Sequence, residues 1–131
     1  MAGELILIIE DNEKNRKLMR DVLQVKGYRT VESETAEEGL RLAGKLAPAL
    51  ILMDIHLPGM NGIEALGVLR ADPAMQSIPV IAVTASVMPQ DRQKVTNAGF
   101  DGYLPKPIDV KEFLTAVRDT LDRQRKAGKL P

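Results

Sequence analysis

The sequence predicts an α/β fold in which five parallel strands form one doubly wound sheet with helices on both faces. Short aliphatic runs alternate five times with segments of helical periodicity, at the spacing of βα units. Right-handed crossovers between such units place helices on both sides of the sheet. The first, third and fourth runs are almost wholly aliphatic, as is typical of central strands. The predicted strands are Leu5–Ile9, Arg29–Glu32, Ala49–Met53, Pro79–Thr84 and Gly102–Leu104.

Five helices are predicted from apolar periodicity and from residues typical of helix ends. The first spans Lys14–Lys26 and ends at Gly27. This first helix carries an apolar stripe of Leu18, Val22 and Val25, with Met19 and Leu23 beside it. Between the first and second helices, the second strand alternates polar and apolar residues, which favours a position at the edge of the sheet. Capping boxes begin the second helix, at Thr35 with Glu38, and the fifth, at Asp109 with Glu112. Asn61-Gly62 precedes the third helix, Ile63–Leu69, and the fourth begins at Pro89 and ends at Gly99.

Length and composition restrict the protein to one domain, residues 1–131, with no general attraction to polyanions. Eighteen basic and eighteen acidic residues cancel, so neither direct nucleic-acid binding nor membrane insertion is expected. The absence of cysteine excludes disulfides, thiol chemistry and thiolate zinc sites. No apolar stretch approaches the ~20 residues that span a bilayer, and no signal-peptide layout is present, so we expect a cytoplasmic protein. The basic tail, residues 123–131, is predicted to fray.

Ionisable residues follow three of the predicted strands: Glu10-Asp11 the first, Asp54 the third and Lys106 the fifth. Ligands of doubly wound sheets bind beyond the carboxyl ends of the strands, so these groups are expected to meet there. Three close carboxylates need a counter-ion, and Mg²⁺ prefers oxygen ligands, with Mn²⁺ as an alternative. We predict Asp11 and Asp54 as direct ligands, Glu10 as a ligand through water, and the His56 backbone carbonyl as a further oxygen. Each acid taken alone would equally suit a turn or a helix cap.

Asp54 is the predicted nucleophile, because it leaves a buried strand and enters a loop ordered by Pro58-Gly59. A carboxylate can attack a phosphoryl group when nearby cations and donors offset the negative charges. Lys106 would supply a positive charge and Thr84 a hydroxyl donor. A cis bond between Lys106 and Pro107 would aim the ammonium inward, although trans is the commoner form and a solvated loop lysine is the alternative.

Together these motifs resemble the receiver domain of response regulators, the CheY-like domain of two-component signalling, over about residues 4–122. The resemblance implies a flavodoxin-like sheet with strand order 2-1-3-4-5, a cis proline at Pro107, and Asp54 as phospho-acceptor. It also implies that Thr84 and Tyr103 switch the surface of the fourth helix, fifth strand and fifth helix. The matching motifs are Glu10-Asp11, Leu52-Met53-Asp54-Ile55, Leu57–Gly62, Thr84-Ala85, Tyr103 and Lys106-Pro107.

Within that family the chain is similar to phosphorelay receivers, both single-domain regulators of the DivK type and receivers of hybrid kinases. This likeness rests on Asn12 and Asn15 after the acidic pair and on Met88 after Thr84-Ala85. It implies a phosphohistidine donor, from a histidine kinase or a histidine phosphotransfer protein, and a downstream protein target. It implies a signalling domain that assists its own phosphorylation and dephosphorylation, rather than an enzyme. The donor is expected to dock on Asn15, Leu18, Met19, Pro107 and Ile108.

His56 lies two residues after the acceptor, at a position that tunes phosphoryl loss in the family, although a solvent-facing loop histidine is the alternative. The same residue excludes a haloacid-dehalogenase-like phosphatase, which needs an acid there. Glu10–Glu13 would repel a flavodoxin-type phosphate, and no GxGxxG or Walker loop is present. Two alternatives remain open: a binding module that works without phosphorylation, and a receiver fragment of a hybrid histidine kinase.

Overall fold

The computed structural model describes residues 3–85 and 89–126 of the chain, and this part forms one five-stranded parallel sheet. The strand order β2-β1-β3-β4-β5 confirms the predicted topology and places the alternating strand β2 at an edge. The elements in chain order are β1 (Leu5–Ile9), α1 (Glu13–Val25), β2 (Arg29–Ser33), α2 (Ala36–Leu46), β3 (Leu50–Asp54), α3 (Gly62–Ala71), β4 (Val80–Thr84), α4 (Pro89–Ala98), β5 (Gly102–Pro105) and α5 (Val110–Lys126).

The sheet is covered on both faces, which explains why its central strands lack polar residues. Alternate residues of one strand point to opposite faces. Leu7 and Ile9 pack with residues of α2 and α3, whereas Ile6 and Ile8 pack with residues of α1 and α5. The side chains of β1 from Ile6 onwards and of all of β3 and β4 are buried. At the carboxyl ends of these strands the buried residues include the polar Glu10, Asp54 and Thr84.

Helix α1 packs on the sheet through Met19 and Leu23, which are 1% and 0% exposed. The apolar stripe predicted at Leu18, Val22 and Val25 lies beside this buried face, and Val25 is 83% exposed. Positions i and i+4 share one helix face, so Met19 and Leu23 together form the contact. The prediction that Met19 contacts a partner is therefore wrong, because its side chain belongs to the core.

Helix α5 continues beyond the point at which the chain was expected to fray. The prediction is wrong for residues 123–126, which are helical, and residues 127–131 lie outside the described part. Arg123 donates to the hydroxyl of Thr120 at 3.2 Å and to the carbonyl of Asp101 at 3.3 Å. Arg125 pairs with Glu4 at the start of the sheet. These basic side chains have anionic or carbonyl partners, and these contacts stabilise the last helical turn.

Candidate functional site

Strand register brings the predicted site residues to one edge of the sheet. Ile9 lies opposite Met53, and Asp54 lies opposite Val83, so Glu10 and Thr84 lie on either side of Asp54. Strand β3 extends one residue further than predicted and includes Asp54 itself. The amide of Lys106 donates to the Thr84 carbonyl at 2.9 Å, which fixes the start of the loop after β5. The groups that the sequence placed at separate strand ends therefore share one pocket.

The Asp54 side chain is buried and held by two donors. Its residue is 3% exposed, its Oδ1 accepts the His56 N–H at 3.0 Å, and its Oδ2 accepts Lys106 Nζ at 3.1 Å. Lys106 Nζ also lies 2.8 Å from Glu10 Oε1. The Lys106–Pro107 bond is cis, as the family resemblance implied. Lys106 is thus an ion-paired residue of the site rather than a solvated loop lysine.

Glu10, Asp11 and Asp54 form a group of carboxylates that fits a divalent cation. One oxygen from each lies within 4.8 Å of the others. Glu10 Oε1 is buried and accepts no hydrogen bond of good geometry, so the nearby ammonium meets it as a charge contact. An all-oxygen set with an unsatisfied carboxylate oxygen suits a hard cation such as Mg²⁺. The His56 carbonyl as a ligand, and the water between Glu10 and the metal, remain predictions.

Burial separates the protonation behaviour of the two inner carboxylates. Desolvation raises the pKa of Glu10 to about 7, and the Asp54 carboxylate adds to this while Lys106 opposes it. Burial would also raise the pKa of Asp54, but hydrogen bonds from Glu10 and the His56 N–H, with the Lys106 charge, lower it. Burial would lower the pKa of Lys106, yet its close pairing with the Glu10 and Asp54 carboxylates raises it. Without metal and below about pH 7, the pair is therefore expected to hold one proton, mainly on Glu10.

Magnesium binding is expected to weaken with acid because it must displace the Glu10 proton. With a Glu10 pKa of about 7, the deprotonated fraction falls about tenfold between pH 8 and pH 6, and Mg²⁺ affinity should fall with it. Calorimetry at these two pH values in buffers of different ionisation heat would measure affinity and proton release together. Equal affinity at both pH values would contradict the assignment of this proton.

The two predicted switch residues, Thr84 and Tyr103, lie on the neighbouring strands β4 and β5. Thr84 is 1% exposed at the end of β4, and Tyr103 lies on β5 opposite Ala82. Tyr103 is half-buried and packs on the small apolar cluster that contains Ile55 and Val95. The switching role of Thr84 and Tyr103 remains a prediction, and Met88 lies outside the described residues.

A cleft of about 550 Å³ opens beside the phospho-acceptor loop. The sequence did not predict Lys94 in this cleft, because the side of α4 that faces the site depends on helix packing, nor did it predict Asn61, the N-cap residue of α3. The His56 side chain is exposed at its rim. The lining residues are Asp11, Ile55, His56, Leu57, Pro58, Asn61, Ile63, Thr84, Lys94 and Val95.

Four of the five predicted docking residues have accessible side chains. Leu18 is 37% exposed, Pro107 is exposed, and Asn15 and Ile108 are half-buried. Ile108 packs against the apolar cluster shared by α1 and α5. These residues remain a predicted surface.

Comparison with known proteins decides the family. The model of the response regulator receiver domain matches residues 6–118. The chain belongs to the response regulator receiver domain family. This receiver domain is 41% identical over 116 residues to the polar-differentiation response regulator DivK of Brucella ovis. The matched region covers 88% of this chain and 94% of the Brucella protein.

Solved structures of receiver domains share its fold. The receiver domain of a sensor histidine kinase from Pseudomonas aeruginosa PAO1 is 31% identical, with a TM-score of 0.85 and coverage of 92% and 99% of the two chains. That structure has a magnesium ion coordinated in its active-site cleft. A CheY-like receiver domain protein from Methanospirillum hungatei JF-1 is also 31% identical, with a TM-score of 0.85 and coverage of 96% and 99%.

Family membership confirms the resemblance seen in the sequence. The chain is a phospho-accepting signalling module of two-component systems, in which receiver domains interact with histidine kinases and downstream targets. Among the described helices, none combines the length and apolar character needed to cross a bilayer.

Proposed function

We propose that this receiver domain takes a phosphoryl group from a phosphohistidine onto Asp54, with Mg²⁺ as the metal. The donor is a histidine kinase or a histidine phosphotransfer protein. The observation that carries the proposal is the position of Asp54, whose Oδ2 lies 3.1 Å from Lys106 Nζ and whose carboxylate is grouped with Glu10 and Asp11. The presence of a nucleophile, a cation and a metal-ligand set in one pocket disfavours a module that works without phosphorylation.

The chemistry follows from the charges around Asp54. Its lowered pKa keeps the carboxylate ionised, so one oxygen forms the new bond to phosphorus while the P–N bond of the donor breaks. The electron pair of that bond leaves with the imidazole. In this mechanism Lys106 and the Thr84 hydroxyl bind the phosphoryl oxygens as their charge develops.

Asp11 and Asp54 would hold Mg²⁺ directly, with Glu10 acting through water and the His56 carbonyl as a further ligand. When bound, the ion would offset the charge of the carboxylates and of the incoming phosphoryl group. Mn²⁺ has the same preference for oxygen ligands and would replace it.

Phosphorylation would become a signal through Thr84 and Tyr103. The new charge attracts the Thr84 hydroxyl, which vacates space next to the cluster on which Tyr103 packs. Inward rotation of Tyr103 would then reshape the surface of α4, β5 and α5, to which a downstream protein binds. In this proposal the domain acts in the cytoplasm, either as a free-standing regulator or as the receiver of a hybrid histidine kinase.

Phosphotransfer profiling tests donor and acceptor together. Phosphorylated kinases and phosphotransfer proteins are expected to label the wild type and the Asp119→Asn control, but not Asp54→Asn. Asp119 is an exposed carboxylate on α5, away from the pocket. Labelling of Asp54→Asn at the wild-type rate would contradict the proposal.

Replacing Leu18 with lysine is expected to slow transfer from a phosphorylated protein about tenfold, because a buried apolar contact in an interface contributes about 1–2 kcal/mol. Labelling by acetyl phosphate, which needs no docking surface, should stay unchanged. Val25→Lys is the matched control, since Val25 lies two turns further along α1 and is 83% exposed. Equal loss with both donors would show that Leu18 acts on the site rather than on docking.

A further inference from the structure

The side chain of Arg16 connects helix α1 to the acidic turn of the site. Its Nη1 donates to the Glu10 carbonyl oxygen at 2.9 Å, and the side chain is 14% exposed. That carbonyl belongs to the peptide that joins Glu10 to Asp11. Arg16 therefore contacts the backbone between two of the three carboxylates that would hold the metal.

Two further carboxylates hold the guanidinium in place. Arg16 Nε lies 3.3 Å from Glu32 Oε1 and Nη2 lies 3.4 Å from Glu34 Oε1, at the carboxyl end of β2. Three nitrogens of one planar group thus point to three different acceptors. A lysine ammonium is a single charge centre on a flexible chain and cannot reproduce this arrangement.

The Glu10–Asp11 peptide lies just beyond the sheet, where strand pairing no longer fixes both of its ends. The Glu10 N–H donates to the Ser33 carbonyl oxygen at 3.0 Å, but Ile9 is the last residue of β1 in register with a residue of β2. Within residues 3–85 and 89–126, the donor to the Glu10 carbonyl is Arg16 Nη1. A rotation of this peptide would redirect the chain at Asp11, whose exposed side chain has little packing to restore its direction.

We propose that Arg16 is a positioning residue for the magnesium site, held in turn by Glu32 and Glu34. It fixes the Glu10–Asp11 peptide so that the Glu10 and Asp11 carboxylates converge with that of Asp54. Because Glu32 and Glu34 hold Arg16, the end of the edge strand β2 thereby affects the affinity for Mg²⁺. The inference rests on the proposed magnesium-dependent function. Arg16 touches neither phosphoryl group nor metal, so its loss should act on Mg²⁺ affinity rather than on phosphoryl transfer.

The chain offers a matched control in Arg20, one turn along α1. Arg20 pairs with the same Glu32, at 3.4 Å, and with Asp21, at 3.1 Å, instead of with the Glu10 carbonyl. Supporting groups around metal ligands typically contribute about tenfold or more to affinity, so Arg16→Gln and Arg16→Lys should each weaken Mg²⁺ binding about tenfold. Glu32→Gln should weaken it about threefold, and Arg20→Gln less than twofold.

Three measurements separate positioning from a general structural effect: calorimetric Mg²⁺ titration, urea unfolding without metal, and the rate of labelling by acetyl phosphate against Mg²⁺ concentration. At saturating Mg²⁺ the Arg16 variants should label within about twofold of the wild-type rate, since the reacting groups are intact.

The inference is overturned by wild-type affinity in Arg16→Gln, by equal weakening in Arg20→Gln, or by a rate that saturating Mg²⁺ does not restore. Failure of the wild type itself to bind Mg²⁺ would instead overturn the proposed function, and this inference with it.

Discussion

Replacing Gly62 with alanine is expected to destabilise the protein by about 2–3 kcal/mol and to slow phosphorylation of Asp54 at least tenfold. A Cβ at this position would lie 2.6 Å from the Asp54 carbonyl oxygen and 3.0 Å from the Ile55 Cα. Both are backbone atoms, so no change of rotamer relieves the contact. The Gly62 N–H also donates to the Ile55 carbonyl at 3.1 Å, which ties the start of α3 to the acceptor loop. The clash must therefore displace the backbone that carries Asp54.

Gly67→Ala is the matched control for this substitution. Gly67 lies on the same helix, and its added Cβ would meet no atom within 4 Å. Alanine in an open helix interior is favoured over glycine by roughly 0.5–1 kcal/mol, so this variant should be slightly stabilised and labelled normally. Urea unfolding and acetyl phosphate labelling measure both effects. A Gly62→Ala protein with wild-type stability and rate would contradict the close approach of α3 to Asp54.

Replacing Glu10 with glutamine is expected to stabilise the metal-free protein by about 1–3 kcal/mol at about pH 8, while removing most Mg²⁺ affinity. Burial raises the pKa of Glu10 from 4.5 to about 7. A raised carboxyl pKa means that the folded state binds this proton more tightly than the unfolded state. Wild-type stability therefore declines as pH rises between these two values and stays lower above pH 7. Glutamine keeps the shape without the charge, so the variant lacks that decline.

Urea unfolding in EDTA at about pH 8 and about pH 5.5 measures the free energy of unfolding of Glu10→Gln and of the wild type. The difference between the two proteins is expected to be larger at the higher pH. Glu13→Gln, an exposed position in the first turn of α1, should change stability by less than about 0.5 kcal/mol. Added Mg²⁺ should stabilise the wild type by mass action and the Glu10 variant far less. A Glu10→Gln protein that is less stable than the wild type at about pH 8 would show that Glu10 contributes to the fold in its charged form.

The sheet and the inner site were predictable because both depend on local signals. Aliphatic runs mark buried strands, and parallel strands bring their carboxyl ends to one edge, so Glu10, Asp54 and Lys106 had to meet there if the order was right. The strand order itself came from the family resemblance. Strand length and alternation do not distinguish one parallel order from another.

The packing of helix α1 was not predictable from its sequence. Leu18, Val22 and Val25 form one apolar stripe and Met19 with Leu23 forms another, about one residue apart around the helix. Which stripe is buried depends on how the helix lies against the sheet and α5. Leu18 is left partly exposed beside the predicted docking loop, whereas Met19 enters the core.

Contacts between distant segments were also beyond the sequence. Arg16 and Glu32 lie in different elements, and nothing in their spacing indicates that the guanidinium reaches the Glu10 carbonyl. The basic residues after Leu121 looked like a solvated tail because Glu4 and Asp101, which they contact, lie far away in the chain. Asn61-Gly62 was interpreted as the mark of the third helix and as part of the family's turn motif, and neither interpretation predicts that Gly62 is the point at which α3 approaches the acceptor.

Mass spectrometric mapping of the modified residue, after incubation with Mg²⁺ and acetyl phosphate, tests the shared pocket of Glu10, Asp11, Asp54 and Lys106. A single phosphoryl group is expected on Asp54, absent when EDTA is present and absent from Asp54→Asn. A phosphoryl group on any other side chain, or an unmodified wild-type protein under these conditions, would contradict the assignment of Asp54 as the acceptor.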